Sequence, residues 1–387
     1  MTATRMTIAA LALALASSGA ARAQETVTIG FAAGLTGYLA FFDGMVRQGA
    51  EMAVDEINAA GGLLDGRYTL ALSVKDMRSE TPAAVIAARE LIAEGARAML
   101  VPCDVDPAIA AGQLGQAARI PMISACASTP TLPGLVGDFM FNLKTADNLQ
   151  AAVLAQYARD QGYATAYVLL SPDTPYTYLL PRYFVQVFER LGGSVVAIGS
   201  YSFDQHDFSV EVTRIAALSP QPDVIMTSAY EPHFPAFIRQ LRGAGVTAPV
   251  LGSDGIDSPT TLGIGPAADG VVFSMAGFPH PGGPLDAFYN AYEVRYGADL
   301  PFAFSATGYE AIKLIAAAIE AAGSIEGPAI RDALDAIEGF EGVTGTTITY
   351  AGQGRVALRD VTLVEVRDGA QHFIKQVRPD SALIPTP

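Results

Sequence analysis

The chain has 387 residues, half of them hydrophobic, with 24 Lys and Arg against 39 Asp and Glu and a formal charge of −15. So acidic a balance excludes nucleic acid and anionic membrane as partners, since both need clustered Lys and Arg. The length exceeds one ordinary core and points to two domains, with no low-complexity tract or charge block to separate them.

Arg5 precedes an apolar block, Met6 to Ala16, of the length of a signal-peptide core and too short to span a bilayer. Ala21-Arg22-Ala23 fits the A-x-A cleavage pattern, so residues 1–23 read as a signal peptide and the mature chain begins at Gln24. Its removal takes away Arg5 and Arg22 and no acid, which moves the formal charge to −17. No cysteine stands at the junction to carry a lipid, and no later apolar run is long enough for a membrane span. The expectation is an exported, soluble, periplasmic protein without direct membrane insertion.

Beyond the junction, short β-branched runs alternate with stretches of helical period. Val27 to Ala32 reads as a strand. Gln48 to Ala60 places Ala50, Ala53, Val54 and Ile57 on one helical face and stops at Gly61-Gly62. Tyr68 to Val74 is the next strand, and Thr81-Pro82 reads as an N-cap followed by proline at the first helical position, opening a helix with Val85, Ile86 and Ile92. Ala98 to Val101, Met122 to Ala125, Thr165 to Leu170, Val195 to Tyr201, Val224 to Ser228 and Val250 to Gly252 continue the strands. This alternation predicts an α/β fold of parallel sheets covered on both faces, and the length suits two of them. Near the end, Thr346 to Tyr350, Val356 to Val366 and His372 to Val377 are extended runs separated by Ala351-Gly352-Gln353-Gly354 and Asp368-Gly369 turns, suited to strands that return to complete earlier lobes.

Common catalytic signatures are missing: no HExxH pair, no GxSxG elbow, no GxxxxGK[ST] loop. Gly263-Ile264-Gly265 and Gly352-Gln353-Gly354 each open a GxGxxA match, but neither follows a strand and opens a helix, as a dinucleotide fingerprint must. His206, His233, His280 and His372 stand at no metal-ligand spacing, so neither cofactor nor metal is expected. In open α/β sheets ligands bind beyond the carboxyl ends of the strands. The loops there hold Gly34 to Tyr38, Cys103-Asp104, Ala127-Ser128-Thr129, Asp173 with Tyr176 and Tyr178, Tyr230-Glu231-Pro232 and Asp254-Gly255. That aromatic, hydroxyl and acidic set suits a small polar ligand and lacks a nucleophile–base pair.

The order GFAAGLTGYLAFFDGM, GAEMAVDEINAAGGLLDGR, PMISACASTP, Ala229-Tyr230-Glu231-Pro232, IRQLRGAGVTAPVLGSDG and AADGVV resembles the leucine/isoleucine/valine-binding family of ABC-transporter solute receptors, over nearly the whole mature chain. The resemblance implies the type I periplasmic binding fold, two Rossmann-like parallel-sheet lobes joined by a three-segment hinge. The expected lobes are 24–145 with 277–350, and 146–276 with 351–387. It also implies a monomer that delivers an amino-acid-like or amine- or amide-bearing ligand to an inner-membrane permease with cytoplasmic ATPase subunits. A ligand sensor on the same fold is the alternative, and an exported hydrolase a more distant one.

Carried over by position, Ala127 and Ser128 match the loop that holds the ligand head group, and Tyr230 a tyrosine reaching in from the second lobe. Asp254 matches an acid that pairs with the ligand ammonium, Phe42 falls at an aromatic lid, and Tyr176 or Tyr178 matches a further cleft tyrosine. Asp104 departs from the pattern, standing where the branched-chain receptors have a serine near the ligand carboxylate. An ionised aspartate there repels that group. Asp106, just before Pro107, reads as the better N-cap, which leaves Asp104 free for the ligand. Two acids favour a ligand with an extra amine, amide or hydroxyls, and predict weak binding of leucine, isoleucine and valine and exclusion of dicarboxylates. Cys103 and Cys126 each follow a strand, and one helix joins those strands. They are expected to be sheet neighbours about 4.8 Å apart and, in an oxidising compartment, bridged by a disulfide.

Overall fold

The computed structural model describes residues 24–297 and 302–387; the signal-peptide reading falls outside them. The first sheet is parallel, in the order β2-β1-β3-β4-β5, built from β1 (Glu25–Ala33), β2 (Tyr68–Asp76), β3 (Ala98–Leu100), β4 (Met122–Ser124) and β5 (Met140–Asn142). β1 lies inside it, Ile29 opposite Leu72 on one side and Ala98 on the other. Its second half is therefore continuously apolar, with Ile29, Phe31, Ala32 and Ala33 wholly buried. The crossovers run through α1 (Ala40–Ala59), α2 (Thr81–Ala93), α3 (Val105–Ala118) and the short α4 (Leu132–Val136).

Three helix readings shift. The apolar face Ala50, Ala53, Val54 and Ile57 is buried as expected, but α1 starts at Ala40, eight residues before Gln48. The added turns hold Phe41, Phe42 and Gly44, weak helix formers, and are fixed from outside: the buried carboxylate of Asp43 accepts the N–H of Gly34 at 2.6 Å and of Cys103 at 2.9 Å. In α2 the cap is Glu80, with Thr81 already helical. The buried face is Ala83, Ala84, Ala87, Ala88 and Leu91, with Ile86 in solvent. In α3 the cap is Asp104, not Asp106. Its carboxylate accepts from Val105 N at 2.7 Å, and Pro107 sits within the first turn, where its missing N–H has no helical acceptor to lose.

The chain then passes to the second sheet through α5 (Asp147–Asp160), β6 (Thr165–Leu170), α6 (Pro175–Arg190), β7 (Ser194–Ser200), α7 (Ser209–Ala216), β8 (Val224–Thr227), α8 (His233–Gly243), β9 (Val250–Gly252), α9 (Pro259–Leu262) and β10 (Val271–Met275). It returns to pack α10 (Pro284–Tyr296), α11 (Ala303–Ala322) and α12 (Gly327–Asp335) into the core of the first sheet, where Leu285, Ile315 and Leu334 join Ile29, Phe31 and Leu100. A two-residue ribbon, β11 (Phe340–Glu341) with β12 (Thr347–Ile348), precedes the last crossing, and the hairpin β13 (Val361–Arg367) and β14 (Ala370–Val377) completes the second sheet antiparallel to β10. The final order is β14-β13-β10-β9-β8-β6-β7. Val356 to Asp360, read as strand, makes only isolated bridges to Asn142 and Thr349, because there the chain is crossing between sheets. β5 and β10 are strands that the sequence reading did not name.

Two contacts fix this arrangement. A Cβ on Gly49 would lie 1.8 Å from the Ser305 carbonyl oxygen and one on Gly308 2.1 Å from that of Val46, so α1 and α11 cross with their backbones touching. Where the crossings run side by side, the wholly buried Arg359 guanidinium donates to Leu143 O at 3.2 Å and Thr346 Oγ1 at 2.8 Å, and pairs with Glu310 at 3.1 Å. One side chain thus joins the segment after β5 to the segment before β13.

Candidate ligand-binding cleft

The ends of β1, β3 and β4 face the ends of β6, β8 and β9 across a cleft lined from both sheets, the place where open α/β sheets bind small molecules. The first wall carries Tyr38, Leu39, Phe42, Cys103, Asp104, Val105, Cys126, Ala127, Ser128 and, from the start of α11, Phe304. The second carries Thr174, Tyr176, Tyr230, Asp254 and Gly255. Of the residues read from the sequence, Phe42, Asp104, Ala127, Ser128, Tyr176, Tyr230 and Asp254 lie here, with both cysteines. Tyr178 does not: two positions further along α6 its ring turns outward, where Arg182 donates to its hydroxyl at 3.1 Å.

Aromatic rings bridge the walls. Phe42 meets Phe304 with ring centroids 5.1 Å apart and Tyr230 across the cleft at 6.4 Å, and Tyr230 meets Tyr176 at 6.0 Å. Burial pushes the hydroxyls of Tyr176 and Tyr230 above the ordinary tyrosine range, and the nearby Asp104 charge adds to this at Tyr230. Both therefore stay neutral. Tyr38 donates to Asp104, and burial together with that bond pushes its hydroxyl up as well.

The first wall is stapled. Cys103 and Cys126 form a disulfide with Cα atoms 4.7 Å apart, in the loops that follow the adjacent strands β3 and β4, as the spacing predicts. Asp43 ties the same rim to the loop after β1, and burial raises its carboxyl to about 7. Behind Ser128, burial pushes Asp147 well above the carboxylate range.

The second wall is a polar network. Tyr176 Oη bonds Ser253 Oγ at 2.7 Å, donates to Asp254 Oδ1 at 3.0 Å and accepts from Gly255 N at 2.8 Å. The sequence reading gives Asp254 a ligand ammonium as partner; in the structure an ammonium of the chain itself is there. Lys144 Nζ lies 3.2 Å from Asp254 Oδ2, the two side chains 1% and 5% exposed, and 4.0 Å from the centroid of the Phe304 ring. Lys144 follows β5, whose three-residue strand Met140-Phe141-Asn142 gives little pattern to detect. Phe304 enters from a helix rather than from a strand end, so the strand-end rule could not find it.

Two parallel-rich sheets, three crossings and a cleft at the strand ends define a two-lobed solute-binding fold of the type I periplasmic class. Comparison with known proteins agrees. The family model for periplasmic binding protein matches residues 26–371, and the chain belongs to that family. It is 28% identical to the Leu/Ile/Val-binding protein BraC3 of Rhizobium johnstonii over 79% of this chain and 82% of that protein. Among solved structures, the leucine-binding protein LivK of Thermotoga maritima superposes with a TM-score of 0.80 at 27% identity, covering 91% of this chain and 99% of that one. LivJ of Streptococcus pneumoniae in complex with isoleucine gives 0.82 at 25% identity, covering 92% and 100%. The resemblance read from the motifs is borne out at the level of family and fold. Among the described residues no helix is long and apolar enough to cross a membrane.

Proposed function

We propose that this protein is the periplasmic solute-binding subunit of an ABC importer, capturing a small amino-acid-like or amine- or amide-bearing compound between its lobes and delivering it to an inner-membrane permease served by cytoplasmic ATPase subunits. The lobes in this reading are residues 24–145 with 277–350, and 146–276 with 351–387, acting in a monomer whose signal peptide is cleaved after Ala23. The observation that carries it is the convergence of strand-end loops from both sheets on one aromatic cleft, with Phe42 and Tyr230 in contact across it. Ala127 and Ser128 offer the head-group subsite, Asp104 accepts from a ligand hydroxyl or amide, Phe42, Tyr176 and Tyr230 enclose the body, and Asp254 sets charge at the far end. Both thiols are bridged and the lining carries no histidine, which favours holding a compound over hydrolysing one.

The test is to incubate the purified protein with a metabolite pool, remove unbound material and identify what is retained by mass spectrometry. One unchanged compound per chain is the expected outcome. A compound converted to products, or none retained, contradicts the proposal.

A further inference from the structure

We infer that Lys144 occupies, from within the chain, the seat a ligand ammonium would take, so that the cleft selects solutes with an acceptor head group and no α-ammonium. This rests on the solute-binding reading above and narrows its ligand class. An ammonium held in an aromatic cleft needs a carboxylate and a ring face. Lys144 Nζ has both, in Asp254 at 3.2 Å and Phe304 at 4.0 Å. Asp254 and Phe304 line the cleft whereas Lys144 does not, so the lysine reaches their contact point from behind. The second oxygen of Asp254 is engaged by Tyr176. A ligand ammonium arriving at this carboxylate would meet the like charge of Lys144 a few ångströms away, where screening is poor.

The opposite wall has the reverse need. Ala127 and Ser128 are 3% and 5% exposed, and among the described residues their backbone N–H groups have no acceptor. Buried N–H groups are nearly always paired, so a carboxylate or carbonyl of the solute completes them. Asp104, with no ion-pair partner among the described residues, takes a hydroxyl or amide N–H instead. The solute is then an acid or amide with an apolar or aromatic body and, at its α-carbon, an oxo group, a hydroxyl or hydrogen in place of the amine.

Matched pairs test this by calorimetry: leucine against its α-keto acid, and phenylalanine against phenylpyruvate. The unmutated protein is expected to bind the keto member of at least one pair about tenfold or more tightly than the amino member. Lys144→Met, which leaves the Asp254 seat open, should shift preference towards the amino member. In Lys144→Ala, added ethylammonium should raise the melting temperature by several degrees, with no such effect on the unmutated protein. Equal or tighter binding of the amino acids by the unmutated protein overturns the inference, as does a Lys144→Ala protein indifferent to ethylammonium. Should the variants not fold, the comparison on the unmutated protein alone decides. If the compound retained from a metabolite pool carries an α-ammonium, the solute-binding reading stands and this inference falls. If nothing is retained, the solute-binding reading falls, and the ethylammonium arm still reports on the seat.

Discussion

The two walls of the cleft each present an aspartate, and the fold treats the two in opposite ways. Asp104 is half-buried at the head of α3, where the helix N-terminus and the Tyr38 hydroxyl are enough to hold it. Asp254 is nearly inaccessible and has a lysine for company. The difference follows from solvation: an acid near water and a helix N-terminus can remain unpaired, whereas one withdrawn from both must be neutralised or pay several kcal/mol in lost hydration. The walls are also fastened differently, the first by a disulfide and the Asp43 carboxyl, the second by hydrogen bonds and one ion pair.

Breaking the ion pair should have the largest effect. Lys144→Met leaves a buried carboxylate without its partner and is expected to cost about 3–5 kcal/mol in urea unfolding. Adding Asp254→Asn to it should restore most of the loss, because no uncompensated charge remains. A double variant as unstable as the single one would show that Lys144 acts through packing alone. On the first wall, replacing both cysteines by serine should cost about 3 kcal/mol through the loop of 23 residues that the bridge closes. Chemical denaturation with and without reductant measures it.

Acidity separates the walls further. Burial raises Asp43 to about 7 on the first wall, and Asp257, which accepts from Gln371 and Ala303 N beside the second, to about 6. In both cases the folded state binds its proton more tightly than the unfolded chain. Their stabilising contribution is therefore full below the ordinary carboxylate range, near pH 4, and is lost as pH rises through 6 and 7. Asp76 and Asp223 are shifted the other way by the hydrogen bonds they accept, and matter only as pH falls through the acid range below about 4. Raising pH from 5 to 7.5 should lower stability by about 4 kcal/mol, read as a falling melting temperature. Asp43→Asn should flatten the upper part of that slope and Asp257→Asn the lower.

The smallest structural effect belongs to Asp104. Asparagine caps a helix as well as aspartate does, so Asp104→Asn should change stability by less than about 0.5 kcal/mol. It should weaken a hydroxyl- or amide-bearing solute about tenfold, and Asp104→Ser should move preference towards simpler acids. Calorimetry on the recovered compound checks both.

The legible part of this molecule was what obeys a positional rule. Loops after β1, β3, β4, β6, β8 and β9 could be named because ligands gather at the carboxyl ends of parallel strands, and the cysteines could be paired because one helix separates β3 from β4. The hidden part depends on distance in the chain. Lys144 meets an acid 110 positions later, and nothing local to either residue announces it. Asp104 was separated from its capping role because Pro107 draws attention to the residue before it, although proline is equally at home later in the first turn. Tyr176 and Tyr178 could not be told apart without the helix phase, which α6 supplies by beginning at Pro175.

The central claim is that both walls hold one solute at once, and hydrogen–deuterium exchange with the compound retained from the metabolite pool tests it most directly. Binding should slow exchange together in the segments around Cys103 to Val105 and Cys126 to Thr129 on one wall, and around Thr174 to Thr177, Ala229 to Glu231 and Ser253 to Ile256 on the other. Protection confined to a single wall, with the opposite segments exchanging as in the free protein, would contradict it.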